Sequence, residues 1–168
     1  DTHYRIIDEY VLFYFNWIEP IKKQTIMHHN YWQSRSKTPI FQSWSGYAFE
    51  AICFKHIYQI QKALGLSNIP FYLGTWNYIP KKNQDNTGAQ IDLLFDREDN
   101  AITLCEIKYT DKAFKIDKSY ANQLMQKMNI FESQLNSKKQ FFQAIISPHG
   151  VYPNTWSKDM IDQIVDIN

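Results

Sequence analysis

The 168-residue sequence is poor in most of the features that mark specialised chains. Two cysteines, Cys53 and Cys105, are too few for a disulfide framework and lack a C-x-x-C partner. With no Asn-x-Ser/Thr sequon beside them, they fit a reducing, cytoplasmic compartment. Only 5 glycines and 6 prolines are scattered along the chain, which excludes a collagenous or low-complexity protein. No apolar run reaches the ~18 residues a membrane helix needs, and no signal-type segment is present. Charge is balanced, with 18 Lys plus Arg against 17 Asp plus Glu for a net +1. That excludes a basic nucleic-acid coat and an acidic tail, so any nucleic-acid surface must be a local patch. There are no repeats and no low-complexity stretches, and G-x-x-x-x-G-K-[ST] is missing, so no nucleotide loop is expected. What is abundant is apolar (44%) and aromatic (16%), enough to bury one substantial core in an α/β domain.

The pattern along the chain predicts a helix over 4–18, with Asp8 as a reasonable N-cap, running into Pro20. A polar loop over 22–39 follows and carries the adjacent His28 and His29. Apolar residues at helical spacing then predict a long central helix over 43–64, ended by Gly65. Three strands are read at 71–79, 90–95 and 101–109, the first two separated by a polar loop over 81–88. A helix over 118–135, a buried-type strand over 140–146 and a short strand over 160–167 complete the order α, β, β, β, α, β. The first residue is Asp1, and residues 2–7 read like the tail of an earlier unit, so a fragment of a longer protein is expected.

Two of these strands carry charge at their centres: Gln90-Ile91-Asp92-Leu93-Leu94-Phe95 and Leu104-Cys105-Glu106-Ile107-Lys108-Tyr109. In an antiparallel hairpin, facing residues keep a constant index sum, and a turn near Glu98 and Asp99 sets it at about 198. Asp92 then faces Glu106. Alternation sends Asp92, Glu106 and Lys108 to one face and Ile91, Leu93, Cys105 and Ile107 to the other. Opposed carboxylates with Cβ atoms roughly 4.5 to 5.5 Å apart repel unless something positive lies between them. Oxygen-only ligation by Asp92, Glu106 and the backbone carbonyl of Ile107 suits Mg²⁺ or Mn²⁺. Lys108 would place a compact positive charge beside that ion, where it could orient water or offset charge on a phosphate. The plainer alternative is an exposed ion-pair patch, but the apolar flanks make both strands look buried, where unpaired charge is costly.

At these residues the sequence resembles the PD-(D/E)XK nuclease superfamily, whose shared core is α-β-β-β-α-β with a metal between an Asp on one strand and E-x-K on the next. Ser45-Gly46-Tyr47-Ala48-Phe49-Glu50 is similar to the superfamily's G-x-x-F-E helix, which implies that Glu50 approaches the metal. Tyr120-Ala121-Asn122-Gln123-Leu124 with Lys127 is similar to its later helix, where Gln123 would support the site. Ile91 stands where the nominal motif has Pro. More narrowly, Tyr4-Arg5-Ile6-Ile7-Asp8 and Phe13-Tyr14-Phe15 with these motifs resemble the DEXX-box nuclease-like domain that follows a winged helix in archaeal-type AAA ATPases. The resemblance implies a connecting segment and helix over 1–40 and a nuclease-like, restriction-endonuclease-like domain over 41–168. It also implies metal-dependent hydrolysis of DNA, with upstream winged-helix and ATPase domains as partners; the alternative is a silent nuclease-fold module that docks DNA or protein. Between Lys108 and Lys139, seven lysines against Asp111, Asp117 and Glu132 form a local basic excess that could line a phosphate backbone. The histidines read as loop decoration or packing, Tyr109 and Tyr120 as possible substrate contacts, and both cysteines as small buried hydrophobes.

Overall fold

A computed structural model describes residues 6, 8–23, 29–80, 87–135 and 137–167. Tyr4, Arg5, Ile7 and His28 lie outside the described residues, as does 81–86 of the expected polar loop. By its internal contacts the chain divides into two units, Asp1–Gln59 and Ile60–Asn168.

In the first unit, α1 (Glu9–Phe13) opens where Asp8 accepts the Val11 N–H at 2.7 Å, the expected cap. The helix then widens into a π-helical turn over Tyr14–Ile18 and tightens into a 3-10 turn over Glu19–Lys23 around Pro20, which cannot continue an α-helix. Buried Trp17 stands edge-on to Trp44 at 5.7 Å, and Phe13 stacks on Trp32 at 5.2 Å, so much of the aromatic content serves as core. Within the stretch expected as loop, Tyr31–Arg35 forms the short helix α2. The expected central helix starts earlier, as α3 (Pro39–Lys55), because Thr38 caps the Phe41 N–H at 3.3 Å and Pro39 is preset for the first turn. It also breaks at His56, whose N–H is shared by the Ile52 and Cys53 carbonyls, before α4 (Ile57–Ala63). α4 ends as expected at Gly65, with φ of 68°. There Leu66 N–H reaches the Gln61 carbonyl and Gly65 N–H reaches that of Lys62, satisfying the last carbonyls of the helix.

The second unit is a mixed α/β layer around a five-stranded sheet in the order β1 (Phe71–Tyr78), β2 (Ala89–Arg97), β3 (Ala101–Ile107), β4 (Gln140–Ile146), β5 (Gln163–Val165). β1, β2 and β3 form an antiparallel meander. α5 (Lys118–Gln134), capped by Asp117 at 2.8 Å, carries the chain to β4, which runs parallel to β3. The expected last strand over 160–167 is instead α6 (Thr155–Met160) followed by three paired residues, because Asn154 and Ser157 form a reciprocal capping box. Every residue of the middle strand β3 is buried, as an apolar run with partners on both edges should be. Ile102, Leu104 and Phe131 pack together between β3 and α5, while Ile116, Ala121 and Ile145 form a second cluster near the start of α5.

Register decides where charge goes. Leu93 faces Cys105, Leu94 faces Leu104, Phe95 faces Thr103 and Asp96 faces Ile102, an index sum of 198 as expected. Asn100 turns the hairpin with φ of 64°, a left-handed conformation Asn tolerates. Against β1, however, Gly74 faces Leu94 while Trp76 faces Ile91, so Thr75 stands against two residues, Asp92 and Leu93. That β-bulge resets the alternation and corrects one expectation: Ile91 packs with Ile102, Leu104 and Phe131 on the α5 side rather than on the opposite face.

Candidate functional site

Glu106, one residue from the end of β3, is only 6% exposed. A carboxylate so placed must be paired. Lys108 Nζ lies 2.8 Å from its Oε1, and Lys127 Nζ donates to both oxygens, at 2.9 and 2.8 Å. Tyr120 adds its hydroxyl to Oε1 at 2.9 Å. Burial pushes the Glu106 carboxyl up, but the Lys108 and Lys127 ammonium groups outweigh it and hold the group below the usual carboxylate range. Lys108 also sits 5.6 Å from the Tyr120 ring centre. The expected same-side placement of Glu106 and Lys108 is therefore realised as a direct ion pair.

Asp92 is half-buried at the bulge, where a bulge re-aims a side chain. Its Oδ2 accepts the Ile107 N–H at 3.0 Å. The side chain thereby continues the β2–β3 ladder one step beyond the Leu93–Cys105 pair and is fixed beside Glu106. Burial, followed by the Glu106 charge, raises the Asp92 carboxyl above its usual range; the Ile107 N–H, Lys108 and Lys127 offset this in part. The two carboxyls are thus shifted in opposite directions, Asp92 by burial and Glu106 by its two lysines.

The other candidates fall differently. Gln123 is exposed on α5 and its side chain makes no hydrogen bond among the described residues, whereas its neighbours Tyr120 and Lys127 reach Glu106. Tyr120 and Lys127 lie seven residues apart on the stripe that also holds Leu124 and Phe131, so the signal for Lys127 was a lysine in a buried helical stripe. Burial and the Glu106 charge push the Tyr120 phenol far up, so it stays a proton donor to that carboxylate. Glu50 lies half-buried on α3, in the first unit. Cys53 and Cys105 are buried and form no disulfide among the described residues, and His29, His56 and His149 are exposed. Of the seven lysines in the basic stretch, Lys108 and Lys127 bind Glu106, and Lys139 binds Asp96 and the Arg97 carbonyl. Lys112, Lys115, Lys118 and Lys138 remain exposed.

Among the described residues no group of three or more His, Cys, Asp and Glu side chains gathers as a metal cage. A two-carboxylate donor set nevertheless suits a hard divalent ion that keeps several waters. Asp92 Oδ1 accepts no hydrogen bond among the described residues, and Glu106 Oε2 accepts only that of Lys127. These two oxygens have lone pairs for such an ion, and it would relieve the repulsion that raises Asp92. Compared with known proteins, the chain matches no family model, no curated protein and no solved structure.

Proposed function

We propose that the second unit carries a metal-dependent phosphodiesterase site of the nuclease type, acting on DNA, within a restriction-endonuclease-like α-β-β-β-α-β arrangement. The observation that supports it is Asp92 fixed beside Glu106 across β2 and β3, with Lys108 on Glu106 itself. Asp92 and Glu106 would hold Mg²⁺ or Mn²⁺, with the Ile107 carbonyl as a further oxygen. When bound, the ion polarises a phosphate oxygen and lowers the pKa of water. Tyr120 keeps the Glu106 carboxylate oriented through Oε1. Lys108 holds its ammonium at the site, to orient the attacking water or offset charge on the phosphate. Exposed Lys112, Lys115 and Lys118, in the segment leading from Lys108 into α5, supply phosphate contacts. The same reading takes a cytoplasmic setting from the two cysteines and the missing signal segment, and upstream winged-helix and ATPase domains from the resemblance.

One observation favours a second reading, a silent module that docks DNA or protein: the two carboxylates and two ammonium groups already balance one another. Nicking of supercoiled plasmid by the 168-residue chain in Mn²⁺ separates the two. Nicking that Lys108→Ala abolishes supports the hydrolytic site. DNA retention on filters with neither nicking nor Mn²⁺ binding supports the docking module and overturns the hydrolytic one.

A further inference from the structure

Lys127 is not a residue that the D…E-x-K pattern calls for, yet its ammonium takes both oxygens of Glu106. Oε1 then accepts from Lys108, Lys127 and Tyr120, and Oε2 from Lys127 alone. A divalent ion bound at Oε2 would stand beside the Lys127 ammonium on the same oxygen, and two cations so close repel, so the ion competes with Lys127 for the carboxylate. A second, independent observation shows where the ammonium can go. Gln143, on β4 beside Leu104, is 8% exposed, and its Oε1 is buried without a partner. Its amide nitrogen only approaches the Met128 sulfur at 3.5 Å. Glu106, Lys127 and Gln143 line one cavity of about 20 Å³ beneath α5. An orphaned buried carbonyl oxygen is costly and calls for a donor.

Resting on the metal reading above, we infer that Lys127 is a resident cation in the metal's place: its ammonium holds Glu106 while the site is empty, and turns to the Gln143 carbonyl oxygen when a divalent ion takes the carboxylate. Lys127 is then a positioning residue that sets metal affinity, and the site exchanges one cation for another without ever leaving Glu106 bare. No bond to carbon or phosphorus changes in this exchange, and the ammonium keeps its protons throughout.

Calorimetric titration with Mn²⁺ tests it on the full 168-residue chain. Lys127→Met and Lys127→Gln lower the Mn²⁺ Kd at least tenfold, while Lys127→Arg, which keeps the competing charge, does not. Without metal, Lys127→Met melts below wild type, and saturating Mn²⁺ narrows that gap. Gln143→Leu weakens Mn²⁺ binding at least threefold when Lys127 is present and has no effect beside Lys127→Met, because the acceptor matters only to the ammonium it receives. A wild-type Kd equal to or lower than that of Lys127→Met overturns the inference and leaves the metal reading standing. A Gln143→Leu effect of the same size in both backgrounds overturns the exchange to Gln143. No Mn²⁺ heat in any of the proteins overturns both readings.

Discussion

Replacing Glu106 by Gln keeps the size of the side chain and removes the one charge on which three donors converge. Lys108 and Lys127 then keep only Asp92 as a nearby counter-charge, and half of the new amide presents hydrogens to them. Breaking a buried pair by deleting one partner typically costs about 3–5 kcal/mol. Here the lysine side chains are 32% and 28% exposed and can turn into water, which brings the loss down to roughly 2–3 kcal/mol. At roughly 2–4 °C per kcal/mol for a chain of this size, Tm falls by about 5–10 °C. The pH dependence carries its own sign. Because the folded value of Glu106 lies below its usual 4.5, the unfolded chain holds more protons between the two. The carboxylate's contribution is therefore complete above 4.5 and is lost as pH falls through the folded value. Thermal unfolding of wild type and Glu106→Gln in EDTA, from pH 7 downward, should show a gap that is full at neutral pH and closes in acid. A neutral-pH gap below ~1 kcal/mol, or one that does not narrow in acid, would refute the claim that this buried carboxylate organises the site.

Asp92 has the opposite sign: between its usual 3.8 and its raised folded value the native state holds more protons, so the ionised group costs stability at neutral pH. Asp92→Asn, which keeps an acceptor for the Ile107 N–H, should raise the metal-free Tm at pH 7, lose that gain as pH falls through the raised folded value to 3.8, and abolish Mn²⁺ binding; calorimetry reads all three. With four exposed lysines in the basic stretch, DNA affinity in filter binding should fall with salt on a logarithmic slope no steeper than about −3.6, at ~0.9 per contact. A slope beyond about −5 would put the main phosphate contacts elsewhere. Phe131→Ala, at a 1% exposed ring 5.0 Å from Trp76 and 5.7 Å from Phe141, should cost about 3–5 kcal/mol in denaturant unfolding.

The hairpin was legible because a short polar turn between two apolar strands sets the index sum, and Glu106 and Lys108 then share a side by parity. Asp8 and Gly65 were legible for a similarly local reason, since one supplies the missing partner and the other the backbone angle of a helix end. The bulge at Asp92 and Leu93 was not, because Ile91-Asp92-Leu93-Leu94 contains neither Gly nor Pro and the extra residue is defined only against Thr75 on another strand. The break at His56 lies in a stretch whose apolar pattern runs on without interruption, so periodicity joined α3 to α4. Lys127 was named only beside the later-helix motif, with Gln123 given the supporting role, and only the packing of α5 on β3 shows that it answers Glu106. Gln143 is the second glutamine of a mostly apolar strand, and its orphaned oxygen is a fact of three dimensions alone.

The most direct test of the metal site is a crystal of the 168-residue chain grown with MnCl₂, with diffraction data collected at the manganese edge. The account predicts an anomalous peak bridging Asp92 and Glu106, with roughly 2.0 to 2.6 Å from the ion to one oxygen of each carboxylate, and the Lys127 ammonium turned away from Glu106. No peak at the pair at saturating Mn²⁺, with Lys127 still on both Glu106 oxygens, would contradict it.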